Sequence, residues 1–525
     1  MNRTGKNKVV VVETSSSSAS SEFNNDSLDG SSAEFEQEEI ITDEIIFPGL
    51  MLNDDYVLLK KIGYGNNAGV WMAYRISTKS YFAIKIQDHE CYDDGCREIK
   101  ILKKINEFIG KNNDVETYCV NMFDCFKYSE QKDDGIVFVC SVYDLYAGSI
   151  DTLITTGIYK YGLPIPVVKK ITKQLLISLD VLHNKLNIVH TDIKPENILL
   201  KGIPIGHKKI IETFEKSKFQ EQYNKLQKKH CKNPDALLDK IKLLAIECVA
   251  GLDDIQDPFL CRPQTLSDEE DDSGSIISGE EDDFEDGSNE SSSEESSEEE
   301  TQQCFNLNRR QSVDDLVEHL YSKEKHDLEE YYDFVSVLNN KNTTTDTKKI
   351  INDDCVYNCE IAITDFGNSY FYEKRTKHEI QDRRYRAPEV VMAFNYGYAC
   401  DMWSVGCLVF ELLTGFTLFA PYDEPLTKDI HHMYLMESML GPIPVKMKKT
   451  SKRQKFLFNH KNKFNIKGVE KIDRISIKER LIKQFLFSEP DADDCSNFIL
   501  MMLKYNPPSR GTAKSMLTHK WLTNV

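Results

Sequence analysis

The first half of the chain has apolar spacings that are typical of β-strands. Order is expected to begin near Leu52, where Val57, Leu59 and Ile62 follow a strand-like pattern. Further along, the spacing becomes helical, which predicts a β-rich part followed by a mainly helical part. Strand-like runs lie at 70–75, 81–86 and 136–143, helical runs lie at 96–108 and 167–183, and most of 390–522 is helical.

A charged insertion interrupts the helical part from about residue 201 to 356. Its first section, 208–249, and its last section, 312–338, have helical periodicity, whereas the middle is rich in Ser, Glu and Asp. This composition predicts two tethered helical segments on either side of a solvated loop.

The N-terminal residues 1–47 have too few apolar side chains to offset the entropy of ordering, which predicts a disordered, Ser-rich and acidic tail. Four segments are therefore expected: the tail at 1–47, the β-rich part and the start of the helical part at 48–200, the insertion at 201–356, and the rest of the helical part at 357–525.

The negative charge of the chain is concentrated in one place. The formal net charge is −20, but residues 268–300 hold 17 acidic residues and no Lys or Arg. Without those 17 charges the remainder carries about −3. A globally basic surface for nucleic acid is therefore not expected.

The 14 cysteines are scattered, with no CxxC pair, so buried reduced thiols are favoured over a zinc site. The N-terminus lacks an apolar leader, and no apolar run is long enough to cross a membrane. We expect an intracellular protein, cytoplasmic or nuclear or both, without membrane attachment.

The strongest chemical motif is His-Thr-Asp-Ile-Lys-Pro-Glu-Asn at 190–197, which follows an apolar run. Phosphoryl transfer needs an acceptor for the hydroxyl proton, a cation near the moving phosphoryl group and an oxygen ligand for a metal. Asp192, Lys194 and Asn197 supply these groups in that order. A polar turn is the alternative for this motif taken alone.

Three further motifs follow in a fixed order. Asp365-Phe366-Gly367 comes after a strand-like run and offers a carboxylate to Mg²⁺. Ala387-Pro388-Glu389 lies downstream, and Arg510 is available as an ion-pair partner for its glutamate. The order of these motifs makes a chance match implausible.

A glycine-containing turn, 63–70, lies between two strand-like runs, so its backbone amides are suited to phosphate oxygens. Lys85 lies one strand later, where it is expected to contact the α- and β-phosphates. Its expected ion-pair partner is Glu98, on the amphipathic run 96–108, although a solvated helix charge is the alternative for Glu98.

Together these motifs make the chain resemble the eukaryotic protein kinases over roughly 52–200 and 355–522. The resemblance implies an α+β, bilobal fold with a β-rich N-lobe and a helical C-lobe, split by the long insertion. It implies ATP and Mg²⁺ as cofactors and protein substrates. Lys194, two residues after Asp192, matches the serine/threonine branch.

Within that family, 190–200, 367–369 and 379–381 are similar to the SR-protein kinases, and 432–444 is similar to the LAMMER kinases. Both groups act on Arg/Ser-rich proteins, which suggests such proteins as substrates. A monomer that binds neither nucleic acid nor membrane is expected. An acidic docking groove would be needed to hold such substrates, and the acids available for it are Asp423, Glu424, Asp429 and Glu437, for which solvated surface positions are an equally good account.

The resemblance also implies residue roles. Asp192 and Lys194 would be catalytic, Asn197 and Asp365 would be metal ligands, and Tyr143 would be the gatekeeper before the hinge. ATP is expected to contact Ile62, Gly63, Tyr64, Gly65, Asn66, Asn67, Ala68, Gly69, Val70, Ala83, Lys85, Glu98, Tyr143, Asp144, Leu145, Tyr146 and Leu199.

Two departures from the family pattern matter. Ala68 replaces the third glycine of the loop, and Asp382 stands where relatives usually carry a threonine. A carboxylate at 382 is expected to pair with Lys194 or to act on Asp192 through like-charge repulsion. Thr191, in place of an arginine, cannot bind a phosphorylated activation loop through a charge-assisted pair, so activity without phosphorylation is expected.

Two other classes of function compete with an enzyme. A pseudokinase scaffold would be marked by loss of Lys85, Asp192, Asn197 or Asp365, and all four are present. The second alternative, an adaptor that binds basic proteins, is supported only by the acidic tract.

Overall fold

The computed structural model describes residues 45–65, 68–112, 114–129, 136–155, 157–230, 234–252, 254–255, 354–373, 379–421, 427–465, 472 and 474–523. Two units are separable, 1–47 and 48–525, and the described part of the first is 45–47. The acidic tract, the helical run expected at 312–338, and Asn66 and Asn67 lie outside the described residues.

The β-rich part is a six-stranded antiparallel sheet in the order β1-β2-β3-β4-β6-β5. Its helix, α1 (Tyr92–Lys111), is longer than the predicted 96–108 and buries Glu98, Ile101, Leu102 and Ile105. The strands are β1 (Met51–Leu52), β2 (Tyr56–Gly65), β3 (Ala68–Arg75), β4 (Ser80–Gln87), β5 (Met122–Tyr128) and β6 (Phe138–Tyr143).

Short strands carry the catalytic motifs. Strands β7 (Tyr146–Ser149), β9 (Ile198–Lys201) and β10 (Ile361–Ile363) form a three-stranded sheet in the order β10-β9-β7. Strands β8 (Ile188–Val189) and β11 (Tyr370–Phe371) pair with each other. The loop at 190–197 and the Asp365 turn therefore lie between paired strands, which brings them together across the insertion.

The C-terminal part is helical, as predicted. Its central helix is α9 (Ala399–Thr414), in which every residue from Cys400 to Thr414 is buried because other helices surround it. The helices that precede the insertion are α2 (Ile150–Thr155) and α3 (Ile165–Val181). After the insertion come α7 (Asp354–Tyr357), α8 (Pro388–Val391), α9 (Ala399–Thr414), α10 (Lys428–Leu440), α11 (Val445–Thr450), α12 (Gln454–Leu457), α13 (Ile477–Lys483), α14 (Glu489–Met502), α15 (Ala513–Met516) and α16 (Lys520–Thr523).

The first section of the insertion folds onto the six-stranded sheet. The periodicity over 208–249 corresponds to three helices, α4 (Ile205–Lys216), α5 (Phe219–His230) and α6 (Pro234–Val249). Phe214 and Phe219 contact the ring of Tyr74 on β3, with centroids 5.2 and 5.9 Å apart. A second hydrophobic core forms here, in which Val57, Leu59, Met72, Ile210 and Ala245 are fully buried.

The predicted α+β architecture, with a sheet-rich first part and a helical second part split by an insertion, is confirmed. In the part of the chain that the structure describes, no helix is both long and apolar enough to cross a membrane.

Candidate active site

A lysine and two carboxylates form the first part of the site. Lys85, on β4, lies 2.9 Å from Glu98 of α1 and 3.1 Å from Asp365. Burial alone would lower the pKa of the Lys85 ammonium, but the two carboxylates outweigh burial and raise it. The positive charge of Lys85 in turn lowers the pKa of Asp365. Both partners therefore stay charged at neutral pH.

The helix α1 is held against the Asp365 turn by a second contact. The backbone amide of Phe366 donates to the Glu98 carboxylate at 3.3 Å. The Phe366 side chain is fully buried and meets the His190 ring edge to face, with centroids 5.0 Å apart. Asp365 itself has a φ of +61°, a left-handed conformation that a non-glycine residue adopts only when its surroundings fix it.

The predicted catalytic trio lies together on the loop that follows β8. Lys194 lies 3.2 Å from Asp192. The Asn197 side-chain amide donates to the backbone oxygen and to the carboxylate of Asp192, both at 2.9 Å. Because the amide nitrogen of Asn197 is used in this way, its Oδ1 is the atom left to bind a cation. The arrangement holds one carboxylate, one ammonium and one amide oxygen in fixed positions.

A residue that sequence reasoning missed fixes the backbone of this loop. Asp401, fully buried in α9, accepts hydrogen bonds from the amides of His190 at 2.9 Å and Thr191 at 2.8 Å. It also accepts one from His183 at 2.8 Å. Burial alone would raise the pKa of Asp401, but these hydrogen bonds and the nearby imidazole groups lower it. An acid in the first turn of a mainly apolar helix was the available signal.

The predicted nucleotide-binding residues that the structure describes lie mainly on strands β2, β3 and β4 and in the segment from the end of β6 into β7. Gly63 pairs with Val70, and Gly65 pairs with Ala68, across the turn between β2 and β3. Tyr143 ends β6 and pairs with Ala83 on β4. Ile62, Val70 and Leu199 are half-buried, whereas Ala83 and Tyr143 are buried. Of the other predicted contacts, Tyr64, Gly65 and Asp144 are exposed and Gly69, Leu145 and Tyr146 are half-buried.

The segment between Asp365 and Glu389 is fastened by a buried glutamine that sequence reasoning did not identify. The side chain of Gln381 donates to the Tyr385 oxygen at 3.2 Å, to the Cys400 oxygen at 3.0 Å and to Ser404 Oγ at 2.8 Å. Its own oxygen accepts from the Ala387 amide at 3.0 Å. The segment is thereby tied to helix α9 without any added phosphate.

Two further contacts fasten the same segment. Glu379 forms an ion pair with Arg386. The Thr191 hydroxyl donates to the Asn368 backbone oxygen at 3.0 Å. Thr191 thus contacts the segment through its hydroxyl, in the position where an arginine would bind phosphate.

The pairing expected between Asp382 and Lys194 is not what the structure shows. Asp382 instead accepts from the backbone amide of Arg384 at 3.0 Å and from its side chain at 3.2 Å. The reason is local: Asp382 caps the short turn Arg383–Tyr385, which brings the Arg384 amide to its carboxylate. Asp382 acts on Lys194 at longer range, as one of the charges that keep the pKa of Lys194 raised against the effect of burial.

The structure corrects the expectation for two of the four acids that were predicted to hold basic substrates. Asp429 is paired with Arg383 and Arg453, and Glu437 is paired with Lys448 at 2.7 Å. Both are mostly buried, so neither is a docking acid nor a solvated surface acid. Their arginine and lysine partners lie near in space but apart in sequence, which spacing alone does not reveal. Asp423 and Glu424 lie outside the described residues.

The expected ion pair between Glu389 and Arg510 is present and buried. Both oxygens of the carboxylate accept from the guanidinium at 2.6 Å, and both side chains are 1% exposed. Removing one partner of such a pair leaves a buried charge, which typically costs about 3–5 kcal/mol. This pair anchors the end of the segment to the C-terminal helices.

A buried glutamate gives the fold a pH dependence. Burial raises the pKa of Glu411 to about 7, from an ordinary 4.5, although Tyr385 donates a hydrogen bond to it. The folded state therefore holds this proton more tightly than the unfolded chain does. Below about pH 4.5 Glu411 is protonated in both states, so its burial does not lower the free energy of unfolding through ionisation. Above about pH 7 the buried carboxylate is ionised, and the free energy of unfolding is lower by roughly 3 kcal/mol.

We therefore expect Glu411→Gln to raise Tm at pH 8 by several degrees and to leave Tm near pH 4.5 unchanged, because glutamine keeps an oxygen for the Tyr385 hydroxyl. Thermal unfolding across this pH range measures the effect. Glu107→Gln, at an exposed position of α1, is the matched control. Parallel pH profiles for wild type and Glu411→Gln would contradict the assignment.

Comparisons of the sequence with known proteins identify a family whose chemistry fits this site. Residues 56–231 and 349–522 match the protein kinase domain family. A serine/threonine-protein kinase of Acanthamoeba polyphaga mimivirus is 44% identical over 95% of this chain and 92% of its own length. The serine/threonine-protein kinase SRPK of Physarum polycephalum is 29% identical over 91% of this chain and 88% of its own. SRSF protein kinase 3 of Homo sapiens is 26% identical over 90% and 87%.

Proposed function

Because the chain belongs to the protein kinase family and is a serine/threonine protein kinase, a transferase that uses ATP, we propose that it phosphorylates serine and threonine in Arg/Ser-rich proteins. The observation that carries the enzymatic part is the complete pairing of Lys85 with both Glu98 and Asp365 beside Asp192. Phosphoryl transfer by a protein kinase requires the lysine–glutamate pair and this aspartate to be in place together.

In this proposal each residue has one task. Asp192 receives the proton of the substrate hydroxyl as the oxygen attacks the γ-phosphorus of ATP. Lys194, paired with Asp192, stabilises the charge that develops on the transferred phosphoryl group. Lys85 holds the α- and β-phosphates, and Glu98 keeps Lys85 in place. The glycine-containing turn supplies backbone amides to the phosphates.

Magnesium is part of the same proposal. The donors fit it, because the Asp365 carboxylate and the free Oδ1 of Asn197 are the hard oxygen ligands that Mg²⁺ prefers. When bound, Mg²⁺ would neutralise charge on the β- and γ-phosphates. Lys85 lowers the pKa of Asp365, which keeps this ligand ionised.

Arg/Ser-rich substrates are supported by the relatives rather than by a docking groove. SRSF protein kinase 3 and the kinase SRPK align over almost the whole chain. A peptide array with ATP and Mg²⁺ tests this point, and serines flanked by arginine should be phosphorylated above serines flanked by neutral residues. Equal signals across the array would refute the substrate class and leave kinase activity standing.

The proposal includes an intracellular monomer. The intracellular part of this proposal is supported by ten cysteines of the described chain that carry free thiols, which is typical of a reducing compartment.

Activity without phosphorylation is also proposed. The segment before Glu389 is fastened by Gln381 and by the pair of Glu379 with Arg386. Two candidate acceptors in it, Ser369 and Tyr385, are buried. Thr376 lies outside the described residues.

We expect phosphatase-treated enzyme to keep kcat within about threefold of untreated enzyme, because internal bonds already order the segment. Gln381→Ala should lower kcat by at least about tenfold, since it leaves several buried polar groups without partners. Steady-state kinetics on one peptide measures both effects. A loss of activity on dephosphorylation that returns on rephosphorylation would refute this part of the proposal.

A further inference from the structure

Three carboxylates, those of Glu196, Asp151 and Glu411, influence one another beside the catalytic loop, and Asp382 shares the cation Arg384 with Glu196. Glu196 belongs to the turn Pro195–Asn197, Asp151 to α2, Asp382 to the segment before Glu389, and Glu411 to α9. Burial, and then the charge of Glu196, raises the pKa of Asp151 to about 6. Burial and a neighbouring carboxylate therefore both favour the protonated form of Asp151.

Two cations, Lys194 and Arg384, lie among these acids, and Arg384 pairs directly with two of them. Its guanidinium is 3.1 Å from Glu196 and 3.2 Å from Asp382. The Arg384 side chain is 41% exposed, whereas those of its two partners are 21% and 26% exposed. The cation therefore lies at the surface of the cluster and covers the acids beneath it.

The pairing of Arg384 with Glu196 is incomplete. Arg384 donates to Oε1 of Glu196, whereas Oε2 of Glu196 is buried and has no hydrogen-bond partner. A buried carboxylate oxygen without a donor costs about 1–3 kcal/mol. A guanidinium that met both oxygens side by side would remove that cost.

We propose that Arg384 is a specificity-determining residue, which occupies the position that a substrate arginine near the phosphorylated hydroxyl would take on Glu196. This deepens the proposed preference for Arg/Ser-rich proteins and rests on it. Glu196 follows Asp192 by four residues, and its charge acts on Lys194, so a cation bound there lies close to the point of transfer. Arg384 competes with such a cation and so limits the preference for arginine.

The test uses full-length enzyme and peptides with a single serine. Arginine is moved through about four positions on each side of the serine, and each peptide has a leucine twin. The ratio of kcat/KM for the two twins measures the preference. Arg384→Gln should raise this ratio about tenfold at one or two positions, through a lower KM, since one charge-assisted hydrogen bond is gained.

Two variants separate specificity from a structural effect. Arg384→Lys keeps the cation and should keep the ratio near the wild-type value. Glu196→Gln in the Arg384→Gln background should abolish the gain, because it removes the acceptor. An effect on folding alone would change both twins equally and leave the ratio unchanged.

Two results would overturn the proposal: an unchanged ratio in Arg384→Gln, or a gain that survives Glu196→Gln. If Arg384→Gln fails to fold, Glu196→Gln alone decides, since it should lower the ratio and a rise would refute the assignment. A different result would refute only the proposed substrate class. In that result the wild-type enzyme does not phosphorylate Arg/Ser-rich proteins, but the ratio of kcat/KM still rises in Arg384→Gln.

Discussion

Asp192→Asn is expected to lower kcat by about three orders of magnitude and to leave the fold intact. The substitution removes the proton acceptor, whose contribution in enzymes is typically about 10²–10⁴. It also removes the negative partner of Lys194 at 3.2 Å. The Asn197 amide still has the backbone oxygen of residue 192 as an acceptor, so the loop should keep its shape.

The measurement is single-turnover phosphorylation of a peptide, together with thermal unfolding. Asp180→Asn is the matched control, because Asp180 is half-buried on α3 and its carboxylate pairs with the exposed Asn184 rather than with the site. Wild-type kcat in Asp192→Asn would remove Asp192 from the mechanism. A lowered Tm with lowered kcat would point to folding instead.

Asp365→Asn should lower kcat by a comparable factor for a different reason. Asparagine keeps the size of the side chain but loses the charge that pairs with Lys85 and that would hold a metal ion. The largest change is therefore expected in the dependence on Mg²⁺, with half-maximal activity at a much higher Mg²⁺ concentration.

Titration of activity with Mg²⁺ measures this, and binding of a fluorescent ATP analogue without metal is the second readout. Metal-free binding should change little, since Lys85 keeps Glu98 as a partner at 2.9 Å. Unchanged Mg²⁺ dependence would show that Asp365 is not a metal ligand.

Much of the site could be predicted because its chemistry depends on short motifs. Asp192, Lys194 and Asn197 lie within six residues, so their relative positions follow from one loop. The pairing of Lys85 with Glu98 followed from a strand and a helix with clear periodicity. The order of the helices and strands was also readable, since the spacing changes from two to about 3.6 residues.

The missed residues act between distant parts of the chain. Asp401 binds the amide of His190, 211 positions away, and Gln381 reaches Ser404, 23 positions away. Such contacts depend on the packing of α9, and sequence spacing carries no information about that packing. The family position of Asp382 predicts a pairing with Lys194, whereas the turn that Asp382 caps directs its carboxylate to Arg384.

The apolar sequence of β2 indicates that both faces of this strand are covered. Residues Tyr56 to Leu59 are all fully buried, although a strand with one solvated face alternates between buried and exposed positions. Four buried residues in succession require cover on both faces of the sheet. The second cover is the group of helices α4 to α6.

Helices α4 to α6 follow β2 in the sequence, so this face of the sheet is covered only late in synthesis. Lys60 donates a hydrogen bond to the Leu252 oxygen, 192 residues later, so the ribosome finishes β2 long before its partners exist. At about 5–20 residues per second the delay is roughly 10–40 s. Until then Val57, Leu59 and Met72 present an apolar face to solvent or to a chaperone. The nascent sheet is therefore exposed to aggregation during this interval.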